Sequence, residues 1–242
     1  IKKKAELENK LKEKEVENLR IKNNLREAEL HALQAQINPH FLFNTLNTGA
    51  QLAMLEGADR ACDFIEHAAD LFRYNIRSLD KPVTIFDEIK NVENYVHLLK
   101  ERFVDTIDFV LEKDDDILDV KIPSMILQPI VENALMHGLG DVEYTGIIKI
   151  RVHKVNDIVE ISIKDNGKGM MKEKINEILN GQAKENKDIG ESNGIAIYNI
   201  LSRLRIFYDK EDVMEIYSEL GYGTEVILRI PIDTHIGGNS SD

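Results

Sequence analysis

Ile158-Val159-Glu160-Ile161-Ser162-Ile163-Lys164 reads as a strand, and the five residues after it, Asp165-Asn166-Gly167-Lys168-Gly169, replace the aliphatics of a core with an acid, an amide and two glycines. The strand follows residues 147–155 closely enough to pair with them as a hairpin. The sheet is therefore mixed or antiparallel rather than of the parallel, doubly wound kind. Working outward, residues 83–86, 107–111, 213–217 and 224–230 also read as strands, and 87–103, 123–137, 171–179 and 195–208 as helices. From Lys81 onward these elements predict a two-layer α/β sandwich. The polar stretch 172–193 reads as mobile rather than core, and the tail 237–242 as too polar to pack.

Composition narrows the class. With 242 residues, 43% of them hydrophobic and 31% charged, the chain can bury one or two cores and is neither collagenous nor fully disordered. Its single cysteine, Cys62, can form neither an intramolecular disulfide nor a thiolate cage, which fits a reducing compartment, and it reads as a small buried apolar residue. A net charge of -12 argues against a general nucleic-acid binder or a partner for anionic membrane surfaces. No apolar run has the length of a membrane span. The sequence opens on Ile1 in mid-pattern, and is expected to be cut from something longer.

The first thirty residues stand apart, with nine Lys or Arg, seven Glu and no Gly, Pro or aromatic residue. Lys4, Leu11, Asn18, Leu25 and Ala32 fall at a positions and Leu7, Lys14, Ile21, Ala28 and Ala35 at d, an imperfect coiled-coil seam in which Asn18 would fix register. A single surface helix carrying pairs such as Glu6 with Lys10 is the alternative. Apolar periodicity continues to Leu55, Gly57 breaks it, and a second periodic stretch runs over 58–79, which predicts an antiparallel helical pair. Pro39 lies inside the first helix and should kink it.

Three further segments share the polar and glycine-rich character of 165–169: Glu132-Asn133-Ala134-Leu135-Met136-His137-Gly138, Asn193-Gly194-Ile195-Ala196 and Gly221-Tyr222-Gly223-Thr224. In this order and spacing they resemble the N, G1, G2 and G3 boxes of the ATP-binding domain shared by histidine kinases, gyrase, Hsp90 and MutL. Upstream, Leu33-Gln34-Ala35-Gln36-Ile37-Asn38-Pro39-His40-Phe41-Leu42-Phe43-Asn44-Thr45-Leu46-Asn47, with Gln128-Pro129-Ile130-Val131-Glu132-Asn133-Ala134 downstream, closely resembles the LytS/YesM-like sensor histidine kinases over about residues 30–231.

The chemistry suits those roles. The Asn133 amide oxygen is a hard ligand fit for magnesium on a nucleotide. His137, four residues on, would share its helical face and could meet phosphate, or serve as an ordinary structural histidine. The Asp165 carboxylate can accept the adenine amino proton. Gly167 and Gly169 let backbone approach base and ribose, Gly194 opens a helix whose amides can receive phosphate, and Gly221, Gly223 and Thr224 close the pocket.

The resemblance implies that His40 is phosphorylated from Mg-ATP, that Asn44 one turn on orients its imidazole, and that the phosphoryl group passes to the aspartate of a response-regulator receiver domain. It further implies an α+β fold in four parts. These are a signalling coiled coil (1–29), a dimerisation and phosphotransfer hairpin forming a four-helix bundle in a homodimer (30–80), an ATP-binding two-layer α/β sandwich (81–232), and a flexible tail (233–242). The whole would be the cytoplasmic part of a protein anchored in the plasma membrane through an upstream sensor region.

Three departures bear on mechanism. Ala196 stands where the family usually has a second glycine, which touches nucleotide affinity. Phe41 stands where many histidine kinases place an acid, so a base for His40 must come from elsewhere, with Glu132 and Glu101 as weak candidates. Pro129 occupies the position of the water-activating Glu of gyrase-like and MutL-like ATPases, which favours transfer to a side chain over hydrolysis. A catalytically weak nucleotide-binding scaffold and a MutL-like ATPase clamp are the rival readings.

Overall fold

The computed structural model describes residues 39–77, 81–102, 106–139, 145–182 and 193–232, so the predicted coiled coil and the tail lie outside the described residues. The chain divides into two compact units, Ile1–Thr48 and Gly49–Asp242. Helix α1 (Pro39–Leu55) begins in the first and ends in the second. Pro39 is the first described residue, and the kink expected there falls at that edge. Gly57, at φ 68°, ends α1: its amide donates to the Met54 carbonyl at 3.1 Å and the Ala58 amide to that of Ala53 at 2.8 Å, the double closure of a helix stopped by a left-handed glycine. Helix α2 (Asp59–Arg77) follows. None of the described helices is long and apolar enough to cross a membrane.

The rest is built on a five-stranded sheet in the order β2-β4-β5-β7-β6, made of β2 (Ile107–Lys113), β4 (Gly146–Val155), β5 (Ile158–Asp165), β6 (Met214–Glu219) and β7 (Gly223–Pro231). Only β2 and β4 run parallel, so the sheet is mixed. Its inner face follows the period of two: Ile148, Ile150 and Val152 on β4, Val159, Ile161 and Ile163 on β5, and Val226, Leu228 and Ile230 on β7 are all buried. The outer face is polar. Glu112 pairs with Lys149 at 2.5 Å and Arg151 at 3.1 Å, and Arg229 grips Glu215 at 2.6 and 2.9 Å. One apolar and one solvated face make this a two-layer arrangement, with helices α3 (Ile85–Arg102), α4 (Leu127–Asn133), α5 (Lys172–Leu179) and α6 (Asn193–Tyr208) supplying the second layer.

Three boundaries differ from the sequence reading, each for a local reason. The strand expected over 83–86 is cut to β1 (Val83–Thr84), which pairs with β3 (Lys121–Ile122) outside the main sheet. Thr84 and Asp87 form a reciprocal cap, Thr84 N to Asp87 Oδ2 at 2.9 Å and Asp87 N to Thr84 Oγ1 at 3.0 Å, which starts α3 at Ile85. The helix expected over 123–137 begins only at Leu127, because Met125 takes a positive φ of 57°, and from Ala134 to Gly138 it widens into a π-helical turn. Finally, of the two overlapping readings of residues 172–179, the helix holds and the mobile stretch does not: α5 buries Ile175 and Ile178, and residues 183–192 lie outside the described residues.

Candidate functional site

The same parity that buries Val159, Ile161 and Ile163 carries one step of two residues further to Asp165, 5% exposed, placing a carboxylate on the core face opposite Ile148. Its Oδ1 accepts the amide of Gly167 at 2.8 Å and that of Thr224 at 3.2 Å. Among the described residues no donor reaches Oδ2. Burial pushes the Asp165 carboxyl above its ordinary value, against the Gly167 and Thr224 amides, which pull it down. Such a group is a single free acceptor in a place poor in water, where an unmet hydrogen bond is expensive and a matched one discriminating.

Glycines make this corner possible. A Cβ on Gly167 would lie 2.2 Å from the Gly138 carbonyl oxygen, and one on Gly223, at φ 96°, 2.1 Å from the Asp165 carbonyl oxygen. Backbone therefore stacks on backbone: Lys168 N donates to Gly138 O at 2.9 Å and Gly221 N to Lys168 O at 2.8 Å. A Cβ on Gly169, at φ 66°, would strike Glu219 O, so the glycines at 167 and 169 also let the chain pack on itself. Ser218 locks the two loops, its Oγ 2.8 Å from Met170 N and from Gly223 O and 2.9 Å from Thr224 Oγ1.

Beside Asp165 opens a cavity of about 170 Å³, concave and mostly apolar as small-molecule sites are. Asn133, Asp165, Gly169 and Thr224 line it, as do Ile163 and Val226 on the sheet face and Ile130, Ile178 and Ile197 on the helices. Asn133 donates through Nδ2 to the Pro129 carbonyl at 2.8 Å, which fixes the amide and leaves its oxygen as the acceptor. That oxygen fits a hard cation carried by a phosphate ligand. Position 129 thus contributes a carbonyl and no carboxylate.

His137 follows within the π-helical turn, so the helical-face spacing used to pair it with Asn133 does not hold; its side chain lies outside the described residues. Gly194 is buried as the second residue of α6, and Ala196 is half-buried there. Gly221, with φ 80°, has open space where a Cβ would stand and does not line the pocket. Lys168 and Lys174 line it and were not anticipated, though both lie in quoted or adjoining sequence. The apolar lining was legible only once strand register was known.

In the other unit His40 is exposed on α1. Asn44 Nδ2 stands 3.3 Å from its Nδ1 and 3.4 Å from its Nε2, and can donate to whichever nitrogen is unprotonated. Among the described residues no carboxylate pairs with the ring. Of the two weak base candidates, Glu101 is 2.7 Å from Arg60, and Glu132 accepts the Gln128 amide at 2.8 Å.

Comparison with known proteins agrees with these two regions. Residues 28–107 match the histidine kinase family model, and residues 119–234 that of the histidine kinase-, DNA gyrase B- and HSP90-like ATPases. The sensor protein LytS of Oceanobacillus iheyensis is 37% identical over 186 residues, 76% of this chain and 31% of its own. The sensor histidine kinase YesM of Bacillus subtilis is 34% identical over 223 residues, 92% of this chain and 36% of its own. Among solved structures, the histidine kinase domain of the Erythrobacter litoralis EL346 blue-light activated kinase aligns over 84% of this chain and 90% of its own at 14% identity and a TM-score of 0.44, too loose a match to bear on the site. The chain spans about a third of the length of the curated relatives it matches. With both halves of the pattern present in order, the chain belongs to the LytS/YesM-like sensor histidine kinases.

Proposed function

We propose that the chain is the kinase core of a two-component sensor, binding Mg-ATP beside Asp165 and phosphorylating His40. The observation that carries this is the buried Asp165 carboxylate, held by two amides through one oxygen and open at the other, on the wall of a pocket that also contains the Asn133 amide. Asp165 Oδ2 accepts the adenine amino proton, a selection against guanine, which carries a carbonyl there. Asn133 would hold magnesium through its oxygen; the ion neutralises charge on the phosphates. Gly167, Gly169, Gly194, Gly221, Gly223, His137 and Thr224 keep the binding roles that the family resemblance implies.

A neutral His40 nitrogen attacks the γ-phosphorus, the N–P bond forms as the bond to the β,γ-bridging oxygen of ATP breaks, ADP leaves, and the proton on the other ring nitrogen is retained or passes to solvent. Asn44 orients the ring without acting as a base. The phosphoryl group then goes to a receiver-domain aspartate. The reading keeps the four parts stated above: coiled coil 1–29, homodimeric four-helix bundle 30–80, ATP-binding domain 81–232, and tail 233–242, as the cytoplasmic part of a membrane-anchored protein.

Incubation with γ-labelled ATP and magnesium tests this. Acid-labile, alkali-stable label on the protein is expected. Release of phosphate without label favours an ATPase clamp, and the absence of both label and release favours a nucleotide-binding scaffold.

A further inference from the structure

One carboxylate in the sheet-bearing unit does work that neither the motifs nor the pocket explains. Glu88, on α3 and fully buried, accepts the amides of Met125 at 2.5 Å, Ile126 at 2.9 Å and Leu127 at 2.8 Å, together with the Tyr74 hydroxyl of α2. These amides stand at the start of α4, where intrahelical bonding leaves donors without acceptors. No side chain caps α4 from its own N-cap residue, Ile126, so the Glu88 carboxyl group caps it from another helix, at the positive end of the helix dipole. The converging bonds also hold Met125 at its positive φ. From there Gln128 is tied to Asn91 at 2.6 Å and to Glu132 at 2.8 Å, and the last residue of α4 is Asn133, on the pocket wall.

We propose that Glu88 is a positioning residue for the nucleotide pocket, and that the Tyr74–Glu88 contact carries displacements of helix α2 to the helix that ends in Asn133. This rests on the Mg-ATP reading above. Other side-chain contacts of α2 with α3 among the described residues, such as His67–Asn94 at 3.0 Å, Arg60–Glu101 at 2.7 Å and the His67–His97 ring pair, end on α3, whereas Tyr74 binds the very carboxylate that α4 uses. The division of labour in the pocket gives the coupling a signature. The adenine acceptor and its two amides come from the end of β5, the loop after it and the start of β7, and the metal-facing amide comes from α4. A shift of α4 therefore acts first on the magnesium-dependent part of ATP binding and reaches the adenine part only through the π-helical turn that ends in Gly138.

The test is an equilibrium titration of the chain with adenosine, with ATP in EDTA, and with ATP plus magnesium. Tyr74→Phe, which keeps the carboxylate and so carries the test if a Glu88 variant does not fold, should cut the magnesium-dependent gain in affinity about three- to tenfold. Glu88→Gln, which loses an acceptor as well, should cut it by about tenfold or more, with adenosine affinity within about twofold of wild type in both. An unchanged gain in the folded variants overturns the proposal, and so does an equal loss for adenosine and Mg-ATP, which would mark ordinary structural support. A wild-type chain that binds adenosine without a magnesium gain removes the role of Asn133, and one that binds no adenosine removes the nucleotide reading; each overturns the coupling through its premise, and is told apart from it by the wild-type titration alone.

Discussion

His40 and Asp165 are the residues on which the proposed chemistry turns, and the chain holds them in opposite ways. His40 is exposed, and its partner among the described residues, Asn44, is four positions away on the same helix. Asp165 is buried, and its surroundings are assembled from distant sequence, with Thr224 59 residues downstream and Gly138 packed against its carboxylate. The contrast fits the tasks proposed for them. A group that must meet a phosphate and later a partner protein needs access, while a group that reads a base needs desolvation so that a mismatched hydrogen bond is costly.

The largest effect that should separate the two regions is on stability. Gly223→Val forces a branched residue into a left-handed conformation and a Cβ into the Asp165 carbonyl, and should destabilise by about 2 to 5 kcal/mol in urea unfolding. His40→Ala should change it by no more than about 0.5 kcal/mol. Comparable losses in both would erase the contrast. Next comes affinity: Asp165→Asn should weaken adenosine binding by about 1.5 to 3 kcal/mol, roughly 10- to 150-fold, in calorimetric titration, with no change in Asn44→Ala.

A smaller effect is expected with pH. Because burial raises the Asp165 carboxyl, adenosine affinity should fall on acidification at a pH above the ordinary aspartate value of about 3.9. Stability responds in the opposite sense, since a carboxylate whose pKa rises on folding destabilises the native state above that pKa and ceases to do so as pH falls through it. Asp165→Asn should flatten the affinity profile. A wild-type profile flat down to pH 4 would contradict the acceptor role. Smallest of all, Asn44→Ala should cost about 0.2 to 0.5 kcal/mol of helix stability, as an exposed pair one turn apart does, measured by thermal unfolding.

The same contrast governs what can be read from sequence. His40 and Asn44 are legible because their relation is local, one helical turn. Asp165 is legible as a strand-end acid, and its burial follows from parity with Ile161 and Ile163, yet that Gly138 and Gly223 exist to admit its carboxylate and carbonyl needs the loops in place. The start of α4 is the clearest failure: nothing near Met125 signals a left-handed residue, because the carboxylate that holds it lies 37 residues upstream. Thr84 and Asp87 could have been recognised as a cap; the β-branched run around them reads instead as strand.

The most direct test of the central claim is to locate the phosphoryl group itself. After incubation with Mg-ATP, peptides prepared at alkaline pH and sequenced by mass spectrometry should carry phosphate on the His40 imidazole, with none on any other histidine and none anywhere in His40→Gln, which should still bind adenosine like wild type. Phosphate on another residue of the wild-type chain, or equal phosphorylation of His40→Gln, would contradict it.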